Sequence, residues 1–411
     1  MWRCLTPLWA FYGFTICWAF NPTGGLWILY LLHAHWSLFD VGLAEAGFHM
    51  VSFFAEVPTG LFADRFGRRQ SLAVGLIIHA ITTVTTFLFA PNIRLLGFLS
   101  VSFGALAWSF IGGADRALLF GMVERQQGSG TFGRIYGRVL ALNLAVRALA
   151  TACGGILVLH LGWSMPYAIA AGTSLLGLAA VRSIPERPRG GVPGAPSASW
   201  SQMVQDLRGA TRVVGTIPGL WLWVGFGAAL ATLVTINNLF AQSTLVLKGA
   251  SVGTASLLVA LAGLVTAAGS GVGGKLTGGN ARRILSWGSL ALGLAVASVG
   301  MLPLDTAAIG YLGAAGVDGM MDPVYENALN HIIPDDIRAT VLSLPSTGFS
   351  LGMMLLFPAA GWAMEIHHLR LVYLVLGLGI SVLAKALRDR TRLVSPVVDD
   401  YPGASGDSTY R

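Results

Sequence analysis

The chain has 411 residues, of which 54% are hydrophobic and only 11% charged, and its mean hydropathy is +0.68. Soluble domains carry about 25% charged residues, so a soluble enzyme is excluded and an all-α integral membrane protein with many spans is expected. The net charge of +7 comes from arginines grouped in alternate loops, which marks membrane orientation and not nucleic-acid binding.

A membrane helix needs about 20 apolar residues, and the apolar runs predict twelve spans with short loops and one longer linker. Span 1 runs from about Leu5 to Leu32 and contains Asn21-Pro22, which is expected to kink it. His33, His35 and Trp36 mark the outer interface. Span 2, about Leu38 to Phe62, carries Glu45, His49 and Glu56. Span 3 covers about Ser71 to Phe89. Span 4 runs from about Arg94 to Val123 as one helix holding Asp115 and Arg116. Span 5, about Ile135 to Leu159, carries Asn143 and Arg147, and span 6 covers about Met165 to Val181.

A segment rich in Pro, Gly, Ser and Arg, 184–215, separates two halves at 1–183 and 216–390. Its stretch from Trp200 to Arg212 reads as a short amphipathic surface helix. Spans 7 to 12 follow at about Leu220 to Leu247, Ser251 to Leu276, Ile284 to Leu302, Ala307 to Ile332, Ala339 to Met364 and Leu369 to Ala386. A polar tail, 391–411, ends the chain. Cys4, Cys17 and Cys153 have no ligand spacing and read as buried free thiols. No cleavable leader is expected, because the first apolar run reaches full span length.

With the N-terminus inside, only Arg94, Lys248 and Arg370 fall in outer loops, while Arg116 and Arg147 fall within spans. That asymmetry predicts an even number of spans with both termini cytoplasmic. An internal repeat points the same way: Gly274 to Arg283 aligns onto Gly60 to Arg69, keeping the arginine pair but putting Gly278 in place of the aspartate. A similar offset sets Asp322 of span 10 opposite Asp115 of span 4.

Between spans 2 and 3 the chain reads Glu56-Val57-Pro58-Thr59-Gly60-Leu61-Phe62-Ala63-Asp64-Arg65-Phe66-Gly67-Arg68-Arg69. The order Gly60, Ala63, Asp64, Arg65, Gly67, Arg68, Arg69 resembles the loop between helices 2 and 3 of the major facilitator superfamily of secondary transporters. Phe62 stands where that family has Leu, which keeps an apolar plug. The resemblance implies two pseudo-symmetric six-helix bundles with a substrate bound between them. It also implies a gating loop in which Asp64 engages the start of helix 11 and a nearby arginine. An anion is favoured at a helix N-terminus and beside a cation. Gly60, one turn before Asp64, is expected to permit close helix approach. The alternative is a charged loop that only sets topology.

Ionisable residues inside a bilayer are costly and mark pathways or ion pairs. Asp115 and Arg116 are neighbours, so on a helix they diverge by about 100° and need not pair. Arg147 is a counter-charge for Asp115 or Asp318, or a ligand for an anionic group. In span 10, Asp318, Asp322 and Glu326 are spaced four and four and share a face that Tyr311 extends. Three carboxylates at one-turn intervals repel one another, so at least one is expected to hold a proton near neutral pH. Glu45 and His49 form a weaker candidate pair, and Glu56 a gate or packing residue. Asn237, Asn238 and Gln242 give span 7 a polar spot for substrate or for helix association. Trp108, Phe110 and Tyr325 are candidate aromatic lining.

No phosphate-binding Gly-Lys-Ser loop, metal spacing or nucleotide fingerprint stands out, so no cofactor or metal is expected and the protein is not read as an enzyme. The reading is a proton-coupled exporter of a small, partly hydrophobic compound in a bacterial-type inner membrane, acting as a monomer on substrate, protons and the lipid bilayer. The Glu-Val-Pro-Thr-Gly entry resembles a drug-export branch of the superfamily. Span 5 keeps Gly154-Gly155 but lacks the Gly-Pro usual in drug–proton antiporters. Uptake of a nutrient, or a non-transporting receptor or assembly partner, are the alternatives.

Overall fold

The computed structural model describes residues 2–127, 131–185, 214–215, 219–277, 280–333 and 338–390. Among these residues every regular element is helical. In chain order they are α1 (Trp2–Ala19), α2 (Trp27–His33), α3 (Leu38–Phe66), α4 (Arg68–Phe89), α5 (Arg94–Ile111), α6 (Ala114–Gln127), α7 (Phe132–Leu161) and α8 (Ser164–Arg182). There follow α9 (Leu220–Leu247), α10 (Val252–Leu276), α11 (Ala281–Met301), α12 (Leu304–Ile332), α13 (Arg338–Ala363) and α14 (Leu369–Arg390), with a π turn at Met364–His368 between the last two. The proposed amphipathic helix in the linker, the position of Gly278 and the polar tail lie outside the described residues.

Counting α1 with α2, and α5 with α6, the helices make twelve passes. Among the described residues, ten spans are long and apolar enough to cross a membrane by length and composition. The two passes not counted there are instructive. Span 1 is broken rather than kinked: α1 ends at Ala19 and α2 begins at Trp27. Asn21 Oδ1 accepts from the Thr23 backbone N–H at 3.1 Å and from its hydroxyl at 2.7 Å, a local turn that competes with the helix. The α12 pass carries Asp318, Asp322, Glu326 and an internal Pro323, residues that lower its apolar character.

Span 4 also departs from the expected single helix. Gly112 and Gly113 interrupt it, with Gly113 at φ +80°, a conformation that costs glycine little and other residues more. Asp115 therefore stands in the first turn of a new helix, α6, and not in mid-helix.

The chain forms two compact units. The first comprises Met1–Met203, Leu245–Leu264 and Met353–His367, the second Val204–Thr244, Val265–Gly352 and His368–Arg411. The core of the first unit gathers Phe11, Phe14, Leu72, Leu76, Leu118 and Val181 from α1, α4, α6 and α8. In a bilayer such packing is driven by close van der Waals fit more than by water exclusion, and small residues allow it. The second unit shows the same principle where α11 crosses α14. A methyl group on Gly293 would collide with the carbonyl of Gly377, and one on Gly377 with the carbonyl of Gly293.

Candidate functional site

At the turn between α3 and α4, Gly67 takes φ 103° and its N–H donates to the Ala63 carbonyl at 3.0 Å. The arginines that follow fasten α4 to its neighbours. Arg68 donates to the Ala117 carbonyl on α6, and Arg69 to the Ile184 carbonyl beyond α8 at 3.2 Å. Arg65 instead lies over its neighbour Phe66 at 5.5 Å. Asp64 is exposed and has no ion pair among the described residues. Gly60 departs from expectation: a methyl group added there would meet no atom within 4 Å, so it allows no close approach in this arrangement. A cavity of about 210 Å³ opens beside this turn, lined among others by Glu56, Gly60, Asp64, Arg68, Gly112 and Gly113.

Asp115 is half-buried next to that cavity, and its carboxylate accepts from the Arg116 backbone N–H at 2.6 Å. A carboxylate in the first turn of a helix is favoured by the helix dipole. The Arg116 side chain is exposed and sits 6.0 Å from the Tyr136 ring. The two neighbours thus diverge.

Arg147 on α7 does not pair with Asp115 among the described residues; its guanidinium stands over the Trp108 ring of α5 at 5.4 Å. Trp108 meets Trp18 of α1 edge-on at 4.9 Å, and Trp18 meets His79 of α4 edge-on at 5.1 Å. The His79 ring is buried, with Nδ1 at 2.8 Å from the Ser174 hydroxyl of α8 and Nε2 at 3.1 Å from the Asn21 amide. The first unit therefore contains a continuous line from a cation through two indoles to an imidazole held by α8 and the α1–α2 break. His79 and Trp18 were not singled out from sequence. The available signal was Asn21 itself, whose break in span 1 leaves polar groups that need partners. Glu45 and His49 on α3 do meet, with Oε1 and Nε2 3.5 Å apart and both side chains largely buried. Phe110 packs edge-on against Phe62 at 5.3 Å.

In the second unit α12 is one helix from Leu304 to Ile332. Its continuity sets Asp318, Asp322 and Glu326 one turn apart along one side. Asp318 is half-buried, the other two are exposed, and none is ion-paired among the described residues. Tyr311, on the same helix, is buried. Tyr325 packs on Trp223 and Phe226 of α9 and donates to the Trp223 carbonyl at 3.1 Å. On α9, Asn237 is fully buried; its Nδ2 donates to Asn238 Oδ1 at 3.3 Å, while its own Oδ1 has no partner among the described residues. A buried amide oxygen left unpaired is costly, which makes it an available acceptor. Gln242, five residues further along α9, is also buried.

Within the first unit, the segments from α10 and α13 are seated through glycines, of which sequence inspection singled out Gly155 but not Gly42, Gly253 or Gly361. A methyl group on Gly42 of α3 would strike the backbone of Pro358, and one on Gly361 the carbonyl of Leu38. On the other side, Gly155 of α7 abuts Ser256 of α10, and Gly253 abuts Leu159. These contacts lie towards the ends of α3 and α7 away from the arginine-rich turn.

Among the described residues no cluster of three or more His, Cys, Asp or Glu could hold a metal ion. The profile of the Major Facilitator Superfamily matches residues 9–315. An uncharacterized MFS-type transporter, YxaM, of Bacillus subtilis (strain 168) is 30% identical over 117 residues; the match spans 28% of this chain and only 27% of that relative. Among solved structures, a variant of the nucleoside transporter NupG superposes with a TM-score of 0.77 at 14% identity, covering 94% of this chain and 98% of the other. The D-xylose-proton symporter gives 0.72 at 15% identity, covering 97% and 98%. A bacterial homolog of the human lysosomal transporter Spinster, in an inward-facing and occupied conformation, gives 0.72 at 16% identity, covering 95% and 97%.

Proposed function

Because this chain belongs to the Major Facilitator Superfamily, we propose that it is a proton-coupled exporter of a small, partly hydrophobic compound, working by alternating access. Membership makes it a multi-pass secondary transporter and not an enzyme, with twelve spanning helices in two six-helix bundles. In our reading the bundles are 1–183 and 216–390, both termini are cytoplasmic, and a single copy suffices for transport. The cytoplasmic assignment follows from where the Lys and Arg residues fall.

The observation that carries this reading is the acid stripe of α12. Three carboxylates at one-turn spacing, without an ion pair among the described residues, would not persist facing lipid. They suit a water-filled path in which a proton is taken up, carried and released. In this mechanism Asp318, the most enclosed of the three, exchanges the proton that drives the cycle, while Asp322 and Glu326 relay it towards the cytoplasm. Asp115, Arg116 and Arg147 are the charges that the first unit contributes to the cycle. In the first unit Arg147 with Trp108 offers a cation and an aromatic wall to the substrate. Protonation changes which partners these groups prefer, and so shifts the balance between outward and inward states.

The gate roles divide between the two ends. Asp64 with Arg65, Arg68 and Arg69 latches the cytoplasmic end. The glycine contacts of Gly42 with Pro358 and of Gly155 with Ser256 are the closed outer gate. A second reading, proton-driven uptake, is favoured by two observations. One is the likeness to structures named as a nucleoside transporter and a D-xylose-proton symporter. The other is the absence of the Gly-Pro pair of drug–proton antiporters from α7.

The test is a substrate panel in proteoliposomes with an imposed pH gradient. Export coupled to protons predicts substrate movement against the proton flow, abolished by an ionophore. Co-movement of substrate and protons would replace export by uptake. Absence of any movement across a broad panel of dyes, drugs, nucleosides and sugars would remove both.

A further inference from the structure

Unit two holds a second cavity that the transport reading does not use. It has a volume of about 390 Å³ and lies between the first turns of α11 and the last turns of α14. Its lining is split by polarity. Arg282, Arg283, Lys385 and Arg388 line the polar end. Trp287, Leu290, Leu378 and Val382 form its apolar wall, with Asn280, Ser286 and Ser381 as neutral polar groups, and Trp287 and Val382 are each 62% exposed. No described residue of the lining is acidic.

The two helices present the same pattern. On α11, Arg283, Trp287 and Leu290 recur at helical spacing, and on α14 so do Lys385, Val382 and Leu378; each runs from a cation to apolar side chains on one face. The Gly293–Gly377 crossing lies beyond the apolar end. From Arg283 to Gly293 is ten residues, or about 15 Å of helix, roughly half the hydrocarbon thickness of a bilayer. The groove is therefore as deep as one leaflet, with its positive charge at one end.

Inside it, Ser286 is only 6% exposed, and its hydroxyl has no hydrogen-bond partner among the described residues. A buried donor left open in a basic cavity points to a missing acceptor. Basic pockets between membrane helices on the cytoplasmic side suit anionic lipid headgroups.

We propose that the α11–α14 groove binds one anionic phospholipid of the cytoplasmic leaflet. Its phosphate is held by Arg283, Lys385 and Arg388, a phosphate or ester oxygen accepts from Ser286, and an acyl chain lies along Trp287, Leu378 and Val382. A free phosphate shares the headgroup chemistry but leaves the apolar wall of the groove unmatched. The site does not depend on the transported compound or on the direction of transport.

The test uses the full chain, purified in detergent and titrated with phosphatidylglycerol or phosphatidylcholine, read by native mass spectrometry and by thermal unfolding. The wild type should retain one phosphatidylglycerol per chain in preference to phosphatidylcholine by about tenfold, a 1.4 kcal/mol difference, and phosphatidylglycerol should raise its unfolding temperature. R283Q/K385Q should abolish the preference, and S286A, which removes one hydroxyl from a retained fold, should weaken it about threefold. R134Q/R138Q, with an equal loss of charge on α7, should keep it. Equal retention of both lipids by the wild type would overturn the proposal. So would unchanged preference in S286A and R283Q/K385Q together, or displacement of the lipid by millimolar inorganic phosphate, which would assign the groove to a free anion.

Discussion

The guanidinium of Arg147 stands 5.4 Å from the centre of the Trp108 ring, with no carboxylate paired to it among the described residues. A cation over an indole is worth about 0.5–1 kcal/mol when exposed and about 2 or more when desolvated. The arrangement stabilises the charge without neutralising it, and leaves it able to meet a carboxylate or an anionic substrate group during the cycle. Arg147→Ala should lower transport by about tenfold or more, Arg147→Lys should recover part of it because Lys lacks the planar stacking surface, and Trp108→Leu should fall between. Initial rates in proteoliposomes at matched protein density measure this. Equal rates for Arg147→Ala and wild type would remove Arg147 from the mechanism.

For the α12 stripe, Asp318→Asn should abolish proton-driven accumulation while leaving substrate exchange between two equal pools, because exchange needs no net proton movement. Glu326→Gln, at the far end of the stripe, should retain most of the drive. The neutral Asn cannot release a proton as pH rises, so the rate in Asp318→Asn should vary little with pH where the wild type varies. Counterflow and gradient-driven assays on the same preparation separate the two effects. Retained accumulation in Asp318→Asn would pass the coupling role to another carboxylate.

Asp64→Asn should insert normally, because the arginines that orient the loop are untouched, yet transport more slowly. The expected loss is about tenfold, from the contact with a cation and a helix N-terminus that the proposed latch makes elsewhere in the cycle. Surface expression and transport measured on one batch of cells decide it. Wild-type turnover in this variant would reduce the loop to a topological signal.

At the other end of α3, Gly42→Val places a side chain against the backbone of Pro358, which cannot swing aside as a rotamer could. The α3–α13 contact should then open. Labelling of a single cysteine introduced at an interior position, by a reagent added from outside, should speed up by about tenfold or more. Gly60→Ala is the contrasting substitution, since its surroundings are empty; it should change labelling little. Identical labelling in the Gly42 and Gly60 variants would be evidence against a gate at α3 and α13.

The spans were readable because apolar runs end at arginine-rich loops, and the acid stripe because a spacing of four survives in one uninterrupted helix. What stayed hidden depends on partners distant in the chain. His79 is an unremarkable residue on an apolar span until Asn21, 58 residues before it, and Ser174, 95 after it, close on its ring. Gly42 looks like any membrane glycine until Pro358 arrives beside it. Local competition was also underestimated. Asn21 accepts from the backbone and hydroxyl of Thr23 and ends α1 where a proline alone would have bent it, and the Gly112-Gly113 pair cuts span 4 where apolar character suggested continuity. Arg147 was recognised as a charge within a span with an acid or an anionic substrate group as its partner, and an indole is there.

The interruption at Gly112 and Gly113 has a mechanical meaning. Two helices joined by residues without side chains need not share an axis, so α6 takes its own direction while α5 keeps its seat on α3 and α4. The rod so redirected bears Asp115, is clasped by Arg68 and packs Leu118 and Val123 into the core of the first unit. The turn after α3 is thus tied to that carboxylate through a single short helix.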